Sequence, residues 1–158
     1  MLKFRIYFCM ILGLFSLTCK GQNQEVLAKF IITHAVENNV DITEWIINSG
    51  IFTVFYIVDD DLYMANVSEN HDTQSWGRVW GTSNRTQEET ATEYKTDIFR
   101  FNWSYTNNYD DKRGTCKVEF LKVYKPQGVV SVLRMVTESL DVIEYTGYME
   151  GSINFYDF

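Results

Sequence analysis

The chain has 158 residues, a length that suits one domain and is short for two. It is 46% hydrophobic with a single proline, which excludes the polar, proline-rich profile of a disordered chain. Acids outnumber bases by 21 to 14, so the surface repels phosphate backbones and nucleic-acid binding is not expected.

Lys3 and Arg5 form a short basic head, and Ile6 to Leu17 is an apolar block without a charge. A spanning helix needs about 20 apolar residues, so this block reads as the core of a signal peptide. Two maturation routes are open. In one, residues 1–21 are the signal and 22–158 form a single β-rich domain. In the other, Ser16-Leu17-Thr18-Cys19 is a degenerate lipobox, the signal ends at residue 18, and Cys19 becomes the lipidated first residue. Lys20 to Gln24 would then be a polar tether, and the acylated Cys19 the sole membrane contact. Either route implies an extracytoplasmic address, in a bacterial cell envelope or as a secreted or periplasmic protein. Loss of residues 1–21 removes Lys3, Arg5 and Lys20 and no acid, leaving 11 bases against 21 acids. Cys116 then has no cysteine partner, so stability must come from the core.

From Gln24 to Asn38 the spacing predicts an amphipathic helix. Leu27, Phe30, Ile31, His34 and Ala35 fall at i, i+3, i+4, i+7 and i+8. Asp41 opens a second, shorter helix, with Glu44 at capping-box spacing and Val40 and Trp45 placed for a hydrophobic staple. Gly50 ends it, because glycine takes the left-handed conformation without a Cβ clash. Ile51 to Val58 is apolar on both faces, as in a strand covered on each side. Asp59-Asp60-Asp61 is a polar break, and Leu62 to Val67 returns as the hairpin partner.

Ser75 to Thr82 is a third strand, with Trp76, Arg78 and Trp80 on one side and Gly77, Val79 and Gly81 on the other. Ser83 to Lys95 reads as a polar loop with room for a helical turn at Gln87 to Ala91. In Asp97 to Tyr105, Phe99, Phe101, Trp103 and Tyr105 all point one way. Thr115 to Tyr124 and Val129 to Val136 are joined by a turn with Pro126 and Gly128 in type I positions, and Asp141 to Met149 completes the set. Such short connections favour antiparallel neighbours. The expected fold class is mainly β: an antiparallel meander of about seven strands, as a partial barrel or two-layer packing, with one or two N-terminal helices packed on it.

Catalytic furniture is sparse. His34 falls on the helical stripe, and His71 sits in the polar stretch Glu69 to Asp72, with no zinc-type spacing near either. Cys116 alternates with Val118 and Phe120 and should point inward. The acid clusters Asp59-Asp60-Asp61, Glu88-Glu89 and Asp110-Asp111 lack the spaced ligands of a calcium loop. No metal or cofactor is expected. The aromatic rows can fill the inside of a curved sheet or form a stacking platform for a flat ligand. On the second reading Trp76, Arg78 and Trp80 are the ligand-binding residues, with Arg78 as anchor for an anionic group.

The leader ending in Cys19-Lys20-Gly21-Gln22, with Lys122 to Val129 and Gly147 to Ser152, resembles short exported proteins of Bacteroidota-type bacteria, a group without an assigned activity. The resemblance implies an envelope location and nothing about mechanism. The expected function is non-enzymatic binding of an envelope ligand or protein partner. The alternative is a small extracytoplasmic hydrolase using paired carboxylates such as Asp110 or Asp72.

Overall fold

The computed structural model describes residues 24–69, 74–82, 86–89, 95–155 and 157–158, with the backbone alone for 86–89. The leader, Cys19 and the His71/Asp72 stretch lie outside the described residues.

Residues 24–37 are not helical. They form the long strand β1 (Gln24–Glu37), in which Ala28, Phe30 and Ile32 alternate inward. Two periodicities coexist in this segment, and non-local pairing on both edges selects the period of two. A bulge between Ile32 and His34 inserts the extra residue that turns Ala35 inward and leaves His34 exposed. His34 is therefore not a core-edge residue of a helix stripe. Asn38 and Asn39 both have positive φ, at 49° and 68°, and make a tight turn into the two-residue strand β2 (Val40–Asp41).

One short helix, α1 (Thr43–Asn48), follows. The capping box does not form as expected, because Ile42 holds the N-cap position. Asp41 instead accepts the Thr43 N–H at 2.8 Å from one residue upstream. Val40 and Trp45 are both largely exposed, so there is no staple between them. Gly50 does close the helix, at φ 59°.

The strands β3 (Ile51–Val58), β4 (Asp61–Ser68), β5 (Gln74–Trp80), β6 (Thr86–Glu89), β7 (Lys95–Asn107), β8 (Arg113–Lys125), β9 (Gly128–Thr137) and β10 (Val142–Gly151) complete the chain. The segment expected to hold a helical turn is thus extended at β6, which runs on along β7 beyond the end of β5. Asp59 and Asp60, at φ 49° and 71°, form the β3–β4 turn.

Strands β1, β3, β4, β5, β7, β8, β9 and β10 are antiparallel neighbours in that order, and β10 pairs back onto β1. The meander therefore closes as an eight-stranded barrel, with one barrel strand more than expected and no second layer among the described residues. Closure removes both edges of the eight-stranded meander, leaving the short strands β2 and β6 each paired on one side. The apolar outer face of β3 is covered by neighbouring side chains rather than by a layer of helices: Tyr56 stacks on Tyr63 at 5.5 Å, and the Lys29 ammonium lies 4.0 Å over Phe52.

Two glycines mark where the wall bends. A Cβ on Gly77 would overlap the Ser104 carbonyl, and one on Gly147 would overlap that of Ile31. Mid-strand charges such as Arg100, Lys117, Arg134 and Glu144 project outward while Phe30, Phe55 and Phe120 fill the inside. That is the reverse of a lipid-facing barrel wall.

The two ends of the bore differ. After β10 the C-terminal segment folds across the end where β1 begins and seats Phe155 against Phe99, Phe120, Phe55 and Phe101 at 5.0–5.5 Å. Ile153 is buried beside it, and the Thr82 hydroxyl holds the Phe158 carbonyl. This end is plugged. The other end carries α1 with Ile46 buried, together with the β7–β8 and β9–β10 turns, and it is not filled.

Candidate functional site

A cavity of about 520 Å³ occupies the open half of the bore, within the ~300–1,000 Å³ range of small-molecule pockets. Its floor is apolar. Met135 on β9 faces Asn66 on β4, four strands away round the barrel, and the two meet at 4.0 Å between Sδ and Nδ2. The Trp103 indole N–H donates to the Met64 carbonyl at 3.0 Å. To reach β4 from β7 the ring must pass β5, and the β5 residue paired to Met64 is Gly77. Glycine is needed there because a Cβ would run into the β7 backbone at Ser104 and Tyr105.

Apart from that Asn66–Met135 contact, the polar side chains of the open half take their partners along the wall. Thr53 donates to Asn66 Oδ1 at 2.6 Å, and Ser75 donates to Asn107 Oδ1 at 2.6 Å. The Asn107 amide in turn donates to Tyr109 and Asp110, each at 3.1 Å. Buried polar atoms need partners, and side chains that find them on adjacent strands do not have to reach across. The space they leave is the cavity. Trp45 on α1 and Tyr109 on the β7–β8 turn stand at the rim, 61% and 60% exposed.

Beside the buried Ile46 and the Ile42 N–H to Ala35 carbonyl bond, one polar side chain ties the helix to β1. Thr43 Oγ1 accepts the Ala35 N–H at 2.9 Å, donates to the Ala35 carbonyl at 3.3 Å and meets His34 Nδ1 at 2.8 Å. The Thr43 hydroxyl and N–H hold the Asp41 carboxyl below the ordinary carboxylate range, and His34 nearby adds to this.

Cys116 faces inward at the base of the cavity, as its alternation predicts. Burial and the negative charge of Glu138 push its thiol up to about 11, so it is not a nucleophile at neutral pH. Asp110 sits at the rim. Partial desolvation raises its carboxyl, but hydrogen bonds from Lys112 and Asn107 and the Lys112 ammonium at 3.0 Å outweigh it and hold the group ionised. A general acid needs the opposite shift. Among the described residues no group of three His, Cys, Asp or Glu could hold a metal ion.

The aromatic rows divide between the two faces of the wall. Phe99, Phe101 and Trp103 are buried inside, with Tyr105 against Trp103 at 5.1 Å. Trp76, Arg78 and Trp80 lie together on the outer face of β5, with Trp76 38% and Trp80 47% exposed. Arg78 is engaged there by Asp61 at 2.6 Å, and the Trp80 indole donates to Ser104 at 2.9 Å. The outer face of a closed barrel is convex, so these three do not line the cavity. A smaller hollow of about 310 Å³ on that outer wall, beside Gly81, is bounded by the Arg100–Glu119 pair at 2.7 Å.

Sequence reasoning missed the cavity residues Asn66, Ser75 and Asn107. Their signal is a polar side chain at an inward position near the same end of three strands, which becomes readable only once the register is known. No family model, no curated protein and no solved structure matches the chain.

Proposed function

We propose that this protein is a non-enzymatic, extracytoplasmic binding barrel that takes one small, mostly apolar ligand into the open half of its bore. The observation that carries the reading is the asymmetry of the bore: Phe155 plugs one end, while about 520 Å³ is left at the other. Eight strands enclose an interior that side chains can just fill or that can hold one small ligand. Here each outcome occupies one half. The lining combines rings and aliphatic side chains with a few fixed polar groups, the composition of small-molecule sites. The leader reading supplies the compartment. Because β1 begins at the plugged end, a lipid on Cys19 would leave the open mouth facing away from the membrane.

The test is saturable binding of a neutral hydrophobic fluorophore, N-phenyl-1-naphthylamine, at one site per chain. Ile143→Trp, which fills the cavity from β10, should abolish binding, and Trp76→Ala with Trp80→Ala should leave it intact. Cys19→Ser followed by fractionation tests the anchor: loss of membrane association with retained export supports lipidation, and unchanged partitioning rejects it.

A second reading places a protein or ligand contact on the outer wall at Trp76, Arg78 and Trp80. It is favoured by the exposure of both indoles beside a cation. Loss of fluorophore binding in the outer double variant, with Ile143→Trp unaffected, would select it.

A further inference from the structure

The charge around the cavity is one-sided. Glu37 is the only ionisable acid or base of ordinary carboxylate or amine type that lines it, and no Lys, Arg or His does so among the described residues. Burial is the main reason the Tyr105 hydroxyl resists ionising, and Cys116, Tyr109, Glu138 and Asp110 add smaller effects in the same direction. Glu37 acts in the same way on Tyr145 after the larger effect of burial. The nearest cation of the rim turn, Lys112, is committed to Asp110 at 3.0 Å.

The rings complete the picture. Trp45 on α1, Trp103 and Tyr105 on β7, Tyr109 on the β7–β8 turn and Tyr145 on β10 all contribute to the lining. Aromatic faces carry negative potential and attract organic cations, most strongly where water is excluded. Among the described residues of the lining, a carboxylate or sulfate entering this mouth would meet Glu37 and a set of π-faces and no cation.

We propose that the cavity selects an organic ammonium carried on an apolar body, with the cationic head beside Glu37 and Tyr109 and the apolar part on Met135 and Trp103. This rests on the reading of the bore as a ligand site and adds the charge class of the ligand. Neutral amphiphiles bind more weakly and anionic ones least. The selectivity is a property of the mouth, so it depends on Glu37 and not on the net charge of the chain.

The experiment displaces N-phenyl-1-naphthylamine from the full mature protein with three ligands of one chain length, all below their micellar concentrations: dodecyltrimethylammonium, dodecanol and dodecanoate. The ammonium should compete at least ~10-fold better than the carboxylate, with the alcohol between them. Glu37→Gln should weaken the ammonium several-fold and leave dodecanol unchanged. Glu150→Gln, an exposed acid at the plugged end, should change neither. Equal competition by all three, tighter carboxylate binding, or an equal loss from Glu37→Gln and Glu150→Gln would overturn the ammonium proposal while leaving the ligand site standing. Failure of the fluorophore itself to bind would remove the site and the proposal together.

Discussion

At the plugged end of the bore Phe155 touches four other phenylalanines, on β3, β7 and β8, whereas at the open end β4, β5, β7 and β9 present Asn66, Ser75, Asn107 and Thr137. Phe30, Phe55 and Phe120 are fully buried in the first half, and Phe120 meets Phe30 and Phe55 edge-on at 6.1 Å in both cases. In the second half the hydrogen bonds run along the wall, from Thr53 to Asn66 and from Ser75 to Asn107. The difference teaches how one barrel serves two ends. Long apolar side chains have no partner to satisfy and extend until they meet, which closes the bore and supplies stability. Short polar side chains find most of their partners on adjacent strands and fill less of the bore, which leaves space for a ligand.

Phe155→Ala is the sharpest way to break the comparison. It removes a ring buried against four others and should cost about 3–5 kcal/mol in urea unfolding. A loss below about 1 kcal/mol would mean that the C-terminal segment is not part of the core.

The thiol between the two halves gives a smaller effect that depends on pH. The Cys116 thiol is raised from an ordinary 9.0 to about 11 in the fold, so the native state holds its proton where the unfolded chain has lost it. Stability is therefore fully present below pH 9 and falls as pH rises towards about 11, and Cys116→Ala should flatten that decline. Alkylation of the native protein should be negligible at pH 8, and rapid reaction there would show that the cavity floor is open.

At the rim, Tyr109→Ala should change stability by less than about 0.5 kcal/mol, because its ring is mostly exposed. The same variant should weaken fluorophore binding several-fold, which separates the functional half from the stabilising one. Arg78→Ala is the smallest perturbation. Its pairing with Asp61 is an exposed ion pair, so the expected loss is within about 0.5 kcal/mol, with no effect on the fluorophore.

Much of the strand pattern was legible in advance. Ile51 to Val58 is β3 to the residue, and the inward row Phe99, Phe101 and Trp103 follows from alternation. Gly50 closing α1 and the inward Cys116 were readable for the same local reasons. Residues 24–37 were not, because their apolar positions satisfy both a 3.6 and a 2.0 period and a bulge disturbs the second. The outward set Trp76, Arg78 and Trp80 was correctly read as sharing one side of a strand. Which side faces the bore depends on the neighbours, and that side turned out to belong to Gly77 and Val79.

Local chemistry in the chain decided the strands from β3 onwards apart from β6, the turns at Asp59-Asp60 and Gly128, and the acidic, aromatic character of the chain, because these follow from side-chain alternation, backbone freedom and composition. Tertiary structure alone decided that β10 returns to β1, that Phe155 closes one mouth, and that Asn66, Ser75 and Asn107 share the other. Those are contacts between residues far apart in sequence. Their free energy depends on a closed register that no short window of sequence contains.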